Sequence, residues 1–365
     1  MSKLKNKYKI IDLFAGCGGL SNGFERVGFE SVLGLDNWKE ALDTYKHNHR
    51  HSEILCGDIS KISSKEILDK TKGIKPTVIV GGPPCQGFSL AGKRDKGDNR
   101  NKLAHEFMRV IAELKPEFFV MENVLGFLSM KDEKGMKVID KILTEFKKIG
   151  YKVSYSPMYA HHYGVPQMRR RIFIVGNRLG IDFKFPEPTH GFKNTPFVTV
   201  GDAISDLPLL DDIYGEEADN YKLKPKSKYQ EEMRKNSNHL YSHTKSKHSE
   251  QTTKVISFVP EGGNWKDLPK RFQNIRSYSN TWRRLDSKKP SVTIDTGHRH
   301  HFHYKANRVP TVRESARIQS FPDNFIFLGS RTSQFKQVGN AVPPYLASAV
   351  GKKIKFYLDQ YYENR

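Results

Sequence analysis

Tyr8-Lys9-Ile10-Ile11-Asp12-Leu13-Phe14-Ala15-Gly16-Cys17-Gly18-Gly19-Leu20 decides the architecture. Residues 8–14 are a short apolar run that reads as a β-strand, and the stretch beginning near Leu20 reads as a helix. The glycines between them let the chain turn abruptly and let its backbone approach a ligand closely. The spacing is not that of the dinucleotide fingerprint, because Asp12 precedes Gly16 by only four positions and Gly16-Cys17-Gly18-Gly19 lacks the pattern. A carboxylate at this place suits a ligand bearing an ammonium group better than a pyrophosphate.

Working outward, residues 31–35, 77–80 and 118–121 read as further strands, and helices are expected to begin near Trp38, Leu103 and Gly135. This βαβα rhythm predicts an α/β fold, a mostly parallel sheet with helices on both faces. Residues 152–156 and 171–175 add two strand candidates. From Phe185 to about Arg284 the chain is richer in Lys, His, Asn, Ser and Pro, and reads as a smaller, irregular second domain. Helical signals return at Thr311, which can cap a first turn with Glu314 three residues later, and Pro343-Pro344 opens a last amphipathic helix running towards Tyr361. The expected organisation is 1–185 as a catalytic and cofactor-binding domain, 186–308 as a second region, and 309–365 as a segment returning to the first.

A chain of 365 residues with 37% hydrophobic and 28% charged residues can bury a large core and reads as globular. Its formal charge is +21, from 61 Lys and Arg against 40 Asp and Glu, and the excess is spread along the chain. A polyanion is the natural partner, since Lys and Arg gain affinity by releasing counterions from phosphates. Charge alone does not choose among DNA, RNA, an anionic membrane and a merely solvated basic surface. Nothing resembles a signal peptide and no run reaches membrane-spanning length, so an intracellular protein is expected. Cys17, Cys56 and Cys85 are widely spaced and odd in number, which argues against a disulfide framework.

Cys85 stands apart from the other two. Gly81-Gly82-Pro83-Pro84-Cys85-Gln86-Gly87-Phe88-Ser89 directly follows a predicted strand, and its glycines and prolines impose an abrupt turn. A cysteine at such a turn is expected at the carboxyl edge of the sheet, where a thiolate can act as a nucleophile. No Cys-x-x-Cys pair exists, which removes redox and zinc readings, and no metal is expected. Cys17 and Cys56 are assigned to packing. Asp36 ends a predicted strand where a ribose can be bound, and Asp58 can accept from an adenine amino group. Glu122 follows another strand, at a place where it can lie near Cys85. Alternation sends Arg169 and Arg171 to one side and Arg170 to the other. The run Gly297-His298-Arg299-His300-His301-Phe302-His303 lacks a coherent ligand set and is read as phosphate contacts or hinge packing.

In this order the motifs resemble those of the cytosine-C5 DNA methyltransferases of bacterial restriction–modification type. Asp12 to Gly19 looks like that family's cofactor loop, and Pro83-Pro84-Cys85-Gln86-Gly87-Phe88-Ser89 like its nucleophile motif. Glu122-Asn123-Val124, the Gln167/Arg169/Arg171 spacing, Arg313-Glu314 with Ala316-Arg317 and Gln319, and Gln337-Val338-Gly339-Asn340-Ala341-Val342-Pro343 match its later motifs. The resemblance spans nearly the whole chain apart from the middle region.

The resemblance implies a Rossmann-like methyltransferase fold with a target-recognition domain in the middle region, and S-adenosyl-L-methionine as cofactor. It implies that Cys85 attacks carbon 6 of a flipped cytosine while Glu122 bonds ring nitrogen 3. Arg169 and Arg171 would hold the base carbonyl side and the active-site carboxylate, and Asn340 would close the pocket. Phe14, Gly16, Gly18, Gly19, Asp36, Asp58, Ile59 and Pro83 would contact the cofactor. DNA contacts are expected from Gln86, Ser89, Lys93 and Arg94 in the loop after Cys85, and from Trp265, Arg283 and Arg284, although Trp265 reads equally well as a core aromatic. The implied partner is double-stranded DNA, bound by a monomer in the cytoplasm at the bacterial chromosome. A restriction endonuclease sharing the target, without a stable complex, is a further expected partner. A cytosine-C5 tRNA methyltransferase and a catalytically silent DNA-binding regulator remain as alternatives.

Overall fold

A computed structural model describes residues 8–84, 101–132, 135–192, 195–210, 213–273, 282–297 and 300–364, with the side chains of 101 and 102 left aside. Two compact units divide the chain: Met1–Tyr159, Arg170–Glu187 and Leu346–Arg365 form one, and Ala160–Arg169 with Pro188–Tyr345 form the other. The sequence-based boundaries at 185 and 309 differ from these. The segment Ala160–Arg169 belongs with the second unit, and the C-terminal return to the first begins only at Leu346.

In the first unit the described residues build a seven-stranded sheet of β1 (Tyr8–Leu13), β2 (Phe29–Asp36), β3 (Glu53–Cys56), β4 (Val78–Gly81), β5 (Phe118–Val124), β6 (Lys152–Tyr159) and β7 (Arg170–Asn177). Their order is β3-β2-β1-β4-β5-β7-β6. The pairs among β1 to β5 are parallel, and β7 runs antiparallel to both β5 and β6. This is the Rossmann-like methyltransferase arrangement. Chain reversal between β1 and β4 as neighbours puts the loops after these strands at one carboxyl edge, where α/β sheets bind ligands.

The central strands are apolar along almost their whole length, because helices cover both faces and no face is left for water. α1 (Gly19–Glu25), α2 (Lys39–Asn48), α3 (Ser64–Lys70), α4 (Asn101–Leu114) and α5 (Val138–Lys148) provide much of that cover. Ile11, Ile79, Phe107, Phe119, Met121 and Phe146 are among the core residues, with Phe119 and Phe146 stacked at 4.1 Å. Two elements escape a periodicity reading: β3 is a partly exposed four-residue strand, and α3 has only seven residues. Glu122 and Asn123, expected just beyond a strand, lie within β5.

The second unit carries short helices: α6 (Val200–Ile204), α7 (Lys228–Arg234), α8 (Glu250–Ser257), α9 (Lys270–Gln273), α10 (Val312–Ile318) and α11 (Arg331–Asn340). Side chains cap several of them, and Thr311 and Glu314 form the capping box their spacing announces. Buried ion pairs supplement a modest apolar core. Arg317 is fully buried and bonds Asp323 through Nε and Nη2 (2.9 and 2.6 Å) and Asp206 through Nη1 (2.5 Å). Arg308 grips Glu314 with two bonds of 2.7 Å, and Arg313 donates to the carbonyls of Tyr241, Pro322 and Phe325. The last helix, α12 (Pro344–Glu363), is tied to the first unit by Ser348 Oγ to the Gly23 carbonyl (2.8 Å) and Tyr8 to Asp359 (2.8 Å).

Candidate active site

The turn after β1 is built from backbone that most side chains avoid. Phe14 has φ 60°, Gly16 φ 53° and Gly18 φ 96°. A bulky aromatic in the left-handed region is held there by its surroundings, and such strain concentrates at ligand sites. A Cβ on Gly16 would meet nothing within 4 Å, so the turn borders open space at that point. A Cβ on Gly18 would lie 2.3 Å from His49 Nε2 and 2.9 Å from the Tyr45 ring, so the turn packs tightly there. Gly19 is buried as the first residue of α1.

Three carboxylates stand around this turn in different states. Asp36 accepts from the Gly16 N–H at 2.8 Å and the Trp38 N–H at 2.9 Å, and burial raises its pKa above the usual value. Both oxygens keep lone pairs for further donors. Asp58 is exposed, accepts from the Ser60 N–H and hydroxyl, and these bonds lower its pKa. Ile59 beside it is buried in the core. Asp12 is 0% exposed; Ser21 donates to its Oδ2 at 2.7 Å, and Oδ1 has no partner among the described residues. Burial pushes the Asp12 pKa up to about 7.

At the end of β5 the register creates the next feature. Arg171 lies opposite Val124, so Glu122, two residues back on the same face, is its diagonal neighbour. Arg171 Nε reaches Glu122 Oε1 at 2.7 Å, and both side chains are mostly buried. Gly82 adjoins them: a Cβ there would sit 3.0 Å from Glu122 Oε2. Asn123 Nδ2 donates to the Pro83 carbonyl at 3.2 Å, fastening the end of β5 to the turn that leads into Cys85. The Glu122-Asn123-Val124 motif contains Asn123, but its spacing carries no signal of this contact to Pro83. Cys85, Gln86, Ser89, Lys93 and Arg94 lie outside the described residues.

Arg169 and Arg171 do separate work. Arg169 precedes β7 in the second unit, is 2% exposed, and donates through Nη2 to the Gly339 carbonyl (2.9 Å) and more distantly to that of Asn340 (3.4 Å). Asn340 ends α11 with its side chain exposed. Gln167 and Gln319, fully buried, are bonded at 2.7 Å, and Gln319 reaches the carbonyls of Val338 (2.8 Å) and Ala341 (3.1 Å).

Arg284 corrects an expectation. It is buried, with its guanidinium donating to the carbonyls of Val259, Ile256, His303 and Ala306 and to Asn307 Oδ1, so no donor is turned to solvent for DNA. Neighbouring Arg283 is exposed. Trp265 opens a short 3₁₀ turn and packs, partly buried, against the cluster of Val255, Ile256 and Trp282. His303 is likewise interior: its Nδ1 accepts from the Lys305 and Ala306 N–H groups, and burial lowers its pKa to about 4.

The C-5 cytosine-specific DNA methylase family model matches residues 8–356, and the chain belongs to that family. It is 37% identical over 371 residues to the Type II methyltransferase M.DdeI of Desulfomicrobium norvegicum, covering 96% of this chain and 89% of the relative. It is 39% identical to the Type II methyltransferase M1.HphI of Haemophilus parahaemolyticus, covering 94% and 86%. Among solved structures, a putative DNA modification methyltransferase encoded within an Escherichia coli prophage aligns with TM-score 0.80 and 28% identity over 97% of this chain and all of that one. DNMT2 of Spodoptera frugiperda aligns with TM-score 0.59 at 18% identity over 96% of this chain and all of that one, a likeness of fold. The protein is thus an S-adenosylmethionine-dependent cytosine-C5 DNA methyltransferase of the bacterial restriction–modification type, acting on double-stranded DNA. Among the described residues no helix is long and apolar enough to cross a membrane.

The turn after β1 fits that cofactor. The open space at Gly16 admits it, Asp36 retains acceptor capacity for ribose hydroxyls, and the partnerless Asp12 oxygen leaves an acidic group behind the turn.

Proposed function

We propose that the enzyme methylates a flipped cytosine within a short, specific duplex sequence through a covalent bond between Cys85 and ring carbon 6. The observation that carries this reading is the Glu122–Arg171 pair at 2.7 Å, beside Gly82 in the turn that leads to Cys85. This closeness of Glu122 to Gly82 supports a role for its carboxyl group at nitrogen 3 of a cytosine attacked by Cys85.

Phe14, Gly16, Gly18, Gly19, Asp36, Asp58, Ile59 and Pro83 would hold S-adenosylmethionine, whose sulfonium would supply a methyl group to carbon 5 and leave as a neutral thioether. The Cys85 thiolate adds to carbon 6, and Glu122 bonds or protonates nitrogen 3, which takes up the electron density driven into the ring. Arg171 fixes the Glu122 carboxyl group, and Asn123 fixes the turn that presents Cys85. Loss of the carbon 5 proton to water, return of any nitrogen 3 proton to Glu122 and expulsion of Cys85 as thiolate restore the aromatic ring. Arg169 supports the segment bearing Asn340, which closes the pocket.

The base must leave the stack for this attack, at a cost of a few kcal/mol. Gln86, Ser89, Lys93 and Arg94 follow the nucleophile in sequence and offset that cost through backbone contacts. Arg283 and the partly buried Trp265 serve recognition from the region 186–308. The enzyme works as a monomer in the bacterial cytoplasm, its target shared with a restriction endonuclease that forms no stable complex with it.

Bisulfite sequencing of DNA treated with the wild type and with Cys85→Ser tests the reading. The wild type should protect one cytosine in a recurring short sequence. Cys85→Ser should protect none while retaining DNA binding in a mobility-shift assay; full protection by that variant refutes the nucleophile.

A further inference from the structure

The last carbonyls of a helix have no partner within it and must find one elsewhere. At the end of α11 the four consecutive carbonyls of residues 338–341 are all met by two side chains. Gln319 takes Val338 and Ala341, and Arg169 takes Gly339 and Asn340. The segment also packs closely on its neighbour: a Cβ at Gly339 would stand 2.6 Å from the Asp295 carbonyl oxygen, so only glycine fits there. The Asn340 side chain is left exposed at the centre of this clamp.

The clamp has a direction. The Ile294 N–H can only donate, and it meets Gln167 Oε1 at 3.1 Å. Gln167 must then turn Nε2 towards Gln319, whose Oε1 receives it at 2.7 Å. Gln319 in turn must offer Nε2 to the Val338 and Ala341 carbonyls. Flipping either amide would set donor against donor and acceptor against acceptor, an expensive arrangement in a buried network.

We infer that Gln319 is a positioning residue that presents Asn340 to the reaction, and that Gln167 sets the orientation of the Gln319 amide. The inference rests on the reading above that Asn340 closes the catalytic pocket. Neither glutamine touches the reacting atoms; Gln319 acts by fixing the backbone on either side of Asn340, and Gln167 acts through Gln319.

Steady-state kinetics on Gln319→Met, Gln167→Met, Asn340→Ala and the double variants tests this, with thermal midpoints recorded for each. Methionine keeps the volume and loses the amide. Each single methionine variant should lower kcat by about tenfold to a hundredfold, as a small misplacement of a pocket group does, with a much smaller change in the KM for cofactor. Added to Asn340→Ala, neither should lower kcat further, since nothing remains to be positioned. Losses that multiply in that background, or unchanged kcat in both single variants, overturn the inference. If Gln319→Met does not fold, Gln167→Met carries the same comparison with the Gln319 side chain intact. An unimpaired Asn340→Ala overturns the catalytic reading of Asn340 itself and the relay with it, an outcome distinct from multiplying losses.

Discussion

Glu122 and Arg171 meet at 2.7 Å because the antiparallel register of β5 and β7 makes them diagonal neighbours on one face. The contact of a mostly buried carboxyl group with a guanidinium depends on the planar geometry of that donor. Arg171→Lys keeps the charge and loses that geometry. It should lower kcat by roughly a hundredfold with little change in the thermal midpoint, by the scale of losses seen when a preorganised electrostatic contact is removed. Initial rates alongside circular-dichroism melts check this, and a wild-type kcat in Arg171→Lys contradicts the assigned role.

Gly16 and Gly18 should respond differently to alanine. Both have positive φ, but a Cβ on Gly16 enters open space and one on Gly18 runs into His49 and Tyr45. Gly18→Ala should therefore destabilise the cofactor-free protein by more than the roughly 1–2 kcal/mol of backbone strain alone. Gly16→Ala should cost little more than that strain, while weakening cofactor binding about tenfold or more as its methyl fills the cradle. Denaturant titration and calorimetry with S-adenosylmethionine separate the two effects.

Asp12 makes stability depend on pH. Its folded pKa is raised from 3.8 to about 7 by burial, so the folded chain holds a proton that the unfolded chain has lost. The stability this contributes is fully present below pH 3.8 and is lost as pH rises through about 7. Asp12→Asn cannot ionise. It should melt higher than the wild type at pH 8, by no more than about 4 kcal/mol in free energy, with the difference shrinking towards pH 4. Melting curves of both proteins without cofactor across that range test it, and a constant difference counts against burial as the cause.

Adjacent arginines 283 and 284 should fail in different assays. Arg283 is exposed and Arg284 is buried among carbonyls it satisfies. Arg284→Ala should lower stability by about 3–5 kcal/mol, leaving several carbonyls without a donor. Arg283→Ala should leave the melt unchanged and flatten the salt dependence of DNA binding by about one unit of slope, as loss of one phosphate contact does. Titrations at several salt concentrations with parallel melts distinguish the pair.

Much of the first unit was legible in the chain. Long apolar runs mark strands buried on both faces, and the glycine and proline turns after β1 and β4 mark the carboxyl edge whatever packs around them. β3 and α3 were not legible, being too short and too exposed to carry a period. The second unit resisted reading because much of what holds it together is polar. Asp206, Asp323, Arg313 and Arg317 look like surface residues in sequence and become interior ones by pairing. Arg284 misleads for the same reason: an arginine next to an arginine suggests phosphate, and only the carbonyls that surround it reveal its use.

The sequence by itself determined the parallel-sheet class, the glycine turn after β1 and the order of motifs that defines the family, since each rests on local backbone chemistry or spacing. Tertiary structure alone decided that Arg171 serves Glu122 while Arg169 serves the Asn340 segment. Strand alternation treats these arginines as equivalent, but β7 begins only at Arg170, so Arg169 escapes the pleat and finds its partners among carbonyls 170 residues further along the chain. Contacts across such separations are set by which elements pack together, and no local pattern encodes them.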